Sequence, residues 1–229
     1  MKSLIIANWK CNPRTLKEAE ELFNKVKNGV KNIKKAETVI ATPFVWLPIL
    51  KGMILAAQDC LWLDCGPYTG EVSLTMLKDF GVKYVIIGHS ERRIHFKETD
   101  EMINKKLRAA LKADLKPILC IGEKKGESAE KIISSQLKKD LKGISKNDLK
   151  KIVIAYEPVW AIGTGDFCKP EKAKKALDFI KKRINTGILY GGSVNSKISK
   201  SYIKVGFNGL LVGGASLDAK EFITIVKNA

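Results

Sequence analysis

Residues 152–165, Ile-Val-Ile-Ala-Tyr-Glu-Pro-Val-Trp-Ala-Ile-Gly-Thr-Gly, hold the pattern on which the fold turns. Ile152–Tyr156 is a continuous apolar run and not an alternating one, as expected of a parallel strand buried on both faces. The polar pair Glu157-Pro158 follows it directly. Working outward, similar runs occur at Leu4–Ala7, Thr38–Ala41, Ile54–Ala57, Tyr84–Ile87, Pro117–Ile121, Gly187–Tyr190 and Leu210–Val212. Between most of them lie segments with apolar residues three and four apart. Leu16, Ala19, Phe23 and Val26 mark the first, and Ala173, Ala176, Leu177 and Ile180 a later one. Pro170 followed by Glu171 predicts a helix start, with a fixed φ and an acidic first turn.

Eight strands alternating with helices predict an α/β protein with a parallel sheet. A doubly wound sheet and a (β/α)8 barrel both satisfy the pattern. The count favours the barrel, whose eight units take roughly 250 residues, against 229 in this chain. No Ser/Gly-rich linker or low-complexity tract interrupts the alternation, so a single domain over residues 1–229 is expected.

Composition narrows the function. With 45% hydrophobic and 28% charged residues, the chain has the balance of a soluble globular protein. Lys+Arg number 41 against 24 Asp+Glu, a net charge of +17, which attracts nucleic acid, anionic membranes or small phosphorylated substrates alike. Only Arg14, Arg92, Arg93, Arg108 and Arg183 are arginines, which argues against a reader of nucleic-acid bases. Lysines such as Lys172, Lys174, Lys175, Lys181 and Lys182 sit at helix-surface spacing and read as a solvated exterior. Cys11, Cys60, Cys65, Cys120 and Cys168 form no CxxC pair, and His89 and His95 make no metal-spaced cluster with them. Reduced thiols in a cytoplasmic protein, with no metal and no cofactor, is the expectation. Residues 39–63 are rather apolar, but Pro43, Pro48, Lys51, Gly52, Gln58 and Asp59 break any membrane span. The run Leu4–Ala7 is too short for a signal-peptide core.

Polar and glycine residues follow the strand ends. Asn8-Trp9-Lys10 follows the first, Gly88-His89-Ser90-Glu91 the fourth, Glu157-Pro158 the sixth, Gly191-Gly192-Ser193 the seventh and Gly213-Gly214-Ala215-Ser216 the eighth. In a barrel these converge on the one rim where active sites are built. Ser90-Glu91 predicts a short helix, whose N-terminus disfavours a charged imidazolium at His89. His95 reads as structural or exposed. Gly163-x-Gly165 lacks the third glycine of a dinucleotide fingerprint, and there is no GK[ST] phosphate loop.

The ordered set Asn8–Lys10, Gly88–Arg93, Ala155–Gly165, Tyr190–Ser193 and Leu211–Leu217 resembles the triosephosphate isomerase family, and the match runs from residue 4 to residue 226. The resemblance implies a single-domain (β/α)8 TIM barrel. It implies an isomerase that interconverts dihydroxyacetone phosphate and D-glyceraldehyde 3-phosphate through an enediolate, in glycolysis and gluconeogenesis. By resemblance Glu157 is the base, neutral His89 polarises the substrate carbonyl, and Lys10 balances phosphate and enediolate charge. Asn8 orients the site and Glu91 pairs with Lys10. Asn8, Lys10, Gly163, Ser193, Gly213 and Gly214 are the implied phosphate contacts.

Residues 158–168 are similar to the family's closing lid, with Pro158-Val159-Trp160 as first hinge and Tyr190 and Ser193 as latch partners. The second hinge, Asp166-Phe167-Cys168, departs from the small or polar residues usual there. Gly66-Pro67-Tyr68-Thr69-Gly70-Glu71 resembles the loop that one subunit inserts beside its partner's site, which implies a homodimer with Thr69 near the neighbour's Asn8 and Lys10. Neither a nucleic acid nor a membrane is an expected partner. Two other readings remain: a basic binding protein on a barrel that has lost catalysis, and another phosphate-binding barrel isomerase.

Overall fold

The computed structural model describes residues 2–163 and 167–229. Eight parallel strands close into a barrel in sequence order: β1 (Ser3–Asn8), β2 (Ala36–Ala41), β3 (Ile54–Ala57), β4 (Tyr84–Ile87), β5 (Lys116–Ile121), β6 (Val153–Tyr156), β7 (Ile188–Tyr190) and β8 (Gly209–Val212). The doubly wound alternative is thereby excluded. Strand ends differ from the apolar runs by up to two residues, because the ladder follows backbone pairing and not polarity. Asn8, for example, is the last residue of β1, opposite Ala41.

The central stretches of the strands are apolar because both faces are covered. Ile6, Val39, Ala41, Ile86, Ile118, Cys120, Leu189 and Leu211 point into the barrel, while Ile5, Ala7, Ile40, Val85, Leu119, Ile154 and Leu210 pack outward under helices. Closure brings β8 against β1, and there the backbone tolerates no side chain. A Cβ at Gly209 would lie 1.8 Å from the carbonyl oxygen of Leu4.

The outer layer comprises α1 (Leu16–Val30), α2 (Leu74–Asp79), α3 (Ser90–His95), α4 (Asp100–Lys112), α5 (Ala129–Asp140), α6 (Lys146–Leu149), α7 (Pro170–Lys181), α8 (Ser199–Lys204) and α9 (Ala219–Asn228). The helix starts follow local chemistry. Thr15 and Glu18 form a reciprocal capping box before α1, and Pro170 occupies the first position of α7. One departure from the alternation lies between β2 and β3. Residues 42–53 hold only a single 3-10 turn, Phe44–Trp46, and no α-helix. No helix among the described residues is long and apolar enough to cross a membrane.

Arg93 ties three helices together. Its guanidinium donates to Asp100 at 2.6 Å, to Asp140 at 2.7 Å and to the Gly88 carbonyl at 2.9 Å. Asp140 is fully buried, and burial holds its carboxyl up at about 7, with the nearby Asp100 adding to the shift and Arg93 opposing it. Asp100 is itself partly buried, but hydrogen bonds from Arg93 and Lys139 bring its carboxyl below the usual range. The two act in different windows. Asp140 loses its proton with difficulty in the fold, so its contribution to stability is complete near pH 4 and is lost as pH rises to about 7. Asp100 contributes at neutral pH and loses that contribution only in acid. Asp140→Asn is therefore expected to gain in melting temperature relative to wild type as pH rises from 5 to 8. Parallel thermal melts would refute this if the difference stayed constant.

Candidate active site

The C-terminal ends of the strands surround a cavity of about 280 Å³ lined by Asn8, Lys10, His89, Glu157, Gly163, Ser193, Gly213 and Gly214. Every sequence-derived site residue but Glu91 lies on this wall, and Glu91 reaches it through Lys10. Ile162, Phe167, Val194, Ile198 and Leu211 add apolar surface. The space suits a small ligand and is just below the roughly 300 Å³ at which drug-sized sites begin.

Glu157 follows β6 and is 1% exposed. One carboxylate oxygen accepts from the Ser90 backbone N–H at 3.1 Å. The other lies 3.2 Å from His89 Nε2 but has no aligned hydrogen bond among the described residues. The side chain is laid over Gly191, where a Cβ would stand 2.9 Å from Glu157 Cγ. Cys120 adjoins this carboxylate from inside the barrel; burial, reinforced by Glu157, keeps its thiol protonated.

His89 is the N-cap of α3, and its Nδ1 accepts the Glu91 backbone N–H at 3.2 Å. An acceptor at Nδ1 leaves the proton on Nε2, the nitrogen that faces the pocket and Glu157. The capping bond thus selects the neutral tautomer. His95 is exposed at the far end of the same helix.

Lys10 stands just past β1 in a left-handed conformation, φ 54°, costly for a residue with a Cβ. Local bonds hold it there. Its N–H donates to Asn8 Oδ1 at 3.1 Å, and its carbonyl accepts from Gln58 Nε2 at 2.9 Å. Gln58 also donates to the Ala41 carbonyl. The Lys10 ammonium pairs with Glu91. Gly213 makes room for the lysine stem, since a Cβ there would meet Lys10 Cε at 3.3 Å, while Gly214 faces open space.

Behind the site a buried ionic cluster fixes the chain after β3. Lys106, 3% exposed, donates to Asp59 at 2.6 Å and to Glu98 at 2.5 Å, and Arg92 reaches the same two carboxylates at 2.9 and 2.5 Å. Glu123, also buried, accepts from Tyr156 at 3.2 Å and from Trp160 at 3.0 Å, anchoring the turn Val159–Ala161 that follows Pro158. Sequence reading missed both groups. The only signal for them is charge within otherwise apolar surroundings, as at Glu123 after Ile118–Gly122.

Within the lid segment, Thr164, Gly165 and Asp166 lie outside the described residues. Ser193 donates its N–H to the Ala161 carbonyl at 3.1 Å. Tyr190 stacks on Tyr202, and its buried hydroxyl has no hydrogen-bond partner among the described residues. Residues 63–71 are exposed throughout, and Thr69 is not among the residues that line the cavity.

The parallel eight-stranded barrel, with a buried Glu–His pair, a strained lysine and glycines at one rim, is a (β/α)8 barrel carrying an acid–base site beside a small cavity. A family model described as triosephosphate isomerase matches residues 3–229. Curated relatives named triosephosphate isomerase agree over nearly the full length: one from Aquifex aeolicus (strain VF5) is 45% identical, covering 99% of each chain. Another, from Caldanaerobacter subterraneus subsp. tengcongensis, is 44% identical over 98% of each, and one from Dictyoglomus turgidum is 43% identical over 99% of each. The chain belongs to the triosephosphate isomerase family.

Proposed function

We propose that this chain interconverts dihydroxyacetone phosphate and D-glyceraldehyde 3-phosphate in glycolysis and gluconeogenesis, with Glu157 as the base. The observation that carries the reading is the Glu157 carboxylate held 3.2 Å from His89 Nε2 on the wall of a small cavity whose other side is glycine. Glu157 takes the proton from the carbon beside the carbonyl. The C–H electron pair becomes the new C=C bond as the carbonyl π pair moves onto oxygen. The hydroxyl proton then crosses to that oxygen by way of His89. As the other oxygen re-forms a carbonyl, the C=C pair takes the proton back from Glu157 at the neighbouring carbon. His89 donates its Nε2–H to the carbonyl oxygen, and the Lys10 ammonium opposes the charge that develops there. Asn8 and Glu91 position Lys10. Gly213, Gly214 and Gly163 give backbone N–H groups close access to the phosphate, Ser193 offers its side-chain hydroxyl from the same wall, and Lys10 supplies charge. The reaction moves one proton between two carbons and one between two oxygens with no net oxidation, so it calls on no redox cofactor.

A homodimer is part of this reading. The arm 63–71 finds cover only on another copy, and large apolar side chains such as Val45, Tyr68, Met76 and Phe96 are exposed. A single domain at work in the cytoplasm, with neither nucleic acid nor membrane as partner, completes it. The test is turnover of glyceraldehyde 3-phosphate by purified protein, with its mass in solution measured alongside. Absence of turnover by a folded chain would overturn the activity, and a persistently monomeric mass would overturn the dimer.

A further inference from the structure

Beneath the pocket wall lies a group of aromatic side chains that the reaction does not use directly. Tyr202, on α8, donates its hydroxyl to the Cys168 carbonyl at 2.6 Å, and both residues are fully buried. Its ring lies flat on Tyr190, with centroids 3.8 Å apart and planes 9° apart, and Phe207 meets both rings edge-on. Such packing leaves the hydroxyl little freedom, and a buried carbonyl deprived of its donor carries the full cost of an unmet hydrogen bond. Cys168 sits at a junction. Before it comes Phe167, half-exposed and lining the cavity; after it come Lys169, the N-cap of α7, and Pro170 with its fixed φ.

We propose that Tyr202 is a positioning residue of the isomerase site: through the Cys168 carbonyl it holds Phe167 as an apolar wall of the cavity. This rests on the activity proposed above. The wall has a chemical use. An enediolate open to water can expel its phosphate, the carbon–oxygen bond breaking with its electron pair leaving on the phosphate, and a fixed apolar wall disfavours that loss.

Tyr202→Phe keeps the ring and its stack and removes only the hydroxyl. It is expected to lower kcat/KM for glyceraldehyde 3-phosphate about tenfold, since small misplacements at a site are costly in rate. It should also raise, several-fold, the fraction of turnovers that release inorganic phosphate. Amide exchange across residues 167–169 should quicken. Phe167→Ala, at a more exposed position, should show the same fall and the same phosphate release, and it folds whatever the fate of the Tyr202 variant. Because the two act in series, the double variant should be no worse than the worse single one. Losses that multiply, unchanged exchange, or phosphate release at the wild-type fraction in either variant would overturn the proposal. If the wild-type chain did not isomerise its substrate at all, the proposed activity would fall, while amide exchange alone would still decide whether Tyr202 anchors the segment.

Discussion

Glu157→Gln is expected to reduce turnover of glyceraldehyde 3-phosphate by about 10³-fold, within the range general-base catalysis supplies, with the fold unchanged. Glutamine has the same shape and still offers a carbonyl oxygen to the Ser90 N–H, which now binds the carboxylate at 3.1 Å. What it lacks is the capacity to take a proton. The variant should melt no lower than wild type. The carboxylate is 1% exposed and is met by one backbone donor, so its charge is held at a cost that the neutral amide does not carry. Steady-state kinetics beside a thermal melt decide the matter. Undiminished kcat would remove Glu157 as the base, and a collapse in melting temperature would show that the carboxylate is structural.

Lys10→Ala is expected to lower kcat/KM by about 10²- to 10³-fold, the scale reported for losing one preorganised group that faces developing charge. Both KM and kcat should suffer, since the proposed role sets one ammonium against both the bound phosphate and the enediolate. Removal leaves Glu91 alone, but that carboxylate is 39% exposed and water can solvate it. The backbone must be separated from the charge, because Lys10 has φ 54° and alanine there is as strained as lysine. Lys10→Gly provides the separation. Glycine accepts this conformation at a saving of about 1 kcal/mol, so it should melt above the alanine variant yet be equally impaired. A glycine variant that regained activity would assign the loss to backbone strain, and an unchanged kcat/KM in either would take Lys10 out of the site.

Much of this architecture was legible in the residues. Strands buried on both faces leave an unbroken apolar run, so all eight stood out, and ladder pairing moved only their ends, as at Asn8 beside Ala41. The meeting of Lys10, His89 and Glu157 at one cavity was legible because a barrel gathers whatever follows its strands onto one rim, while the roles proposed for them came from the family resemblance. Side-chain pairings across the fold left no such trace. Lys106 meets Asp59 from 47 positions away, and Tyr202 meets Cys168 from 34, separations without periodic signal. The crossing between β2 and β3 had no helix assigned to it in particular, and Pro43 and Pro48 fit the single short turn found there.

That short crossing has a practical side. A parallel connection needs about a dozen residues to return to the start of its sheet, and residues 42–53 meet this minimum. Shortening it would leave β3 unable to reach its neighbours, whereas lengthening it meets no such limit. Its exposed end at Lys51-Gly52, where Gly52 has φ 92°, lies just before β3, at the opposite end of the strands from the cavity. Grafted peptide or a whole guest domain could be carried at that point, far from the rim, on a scaffold whose working end is left as it stands.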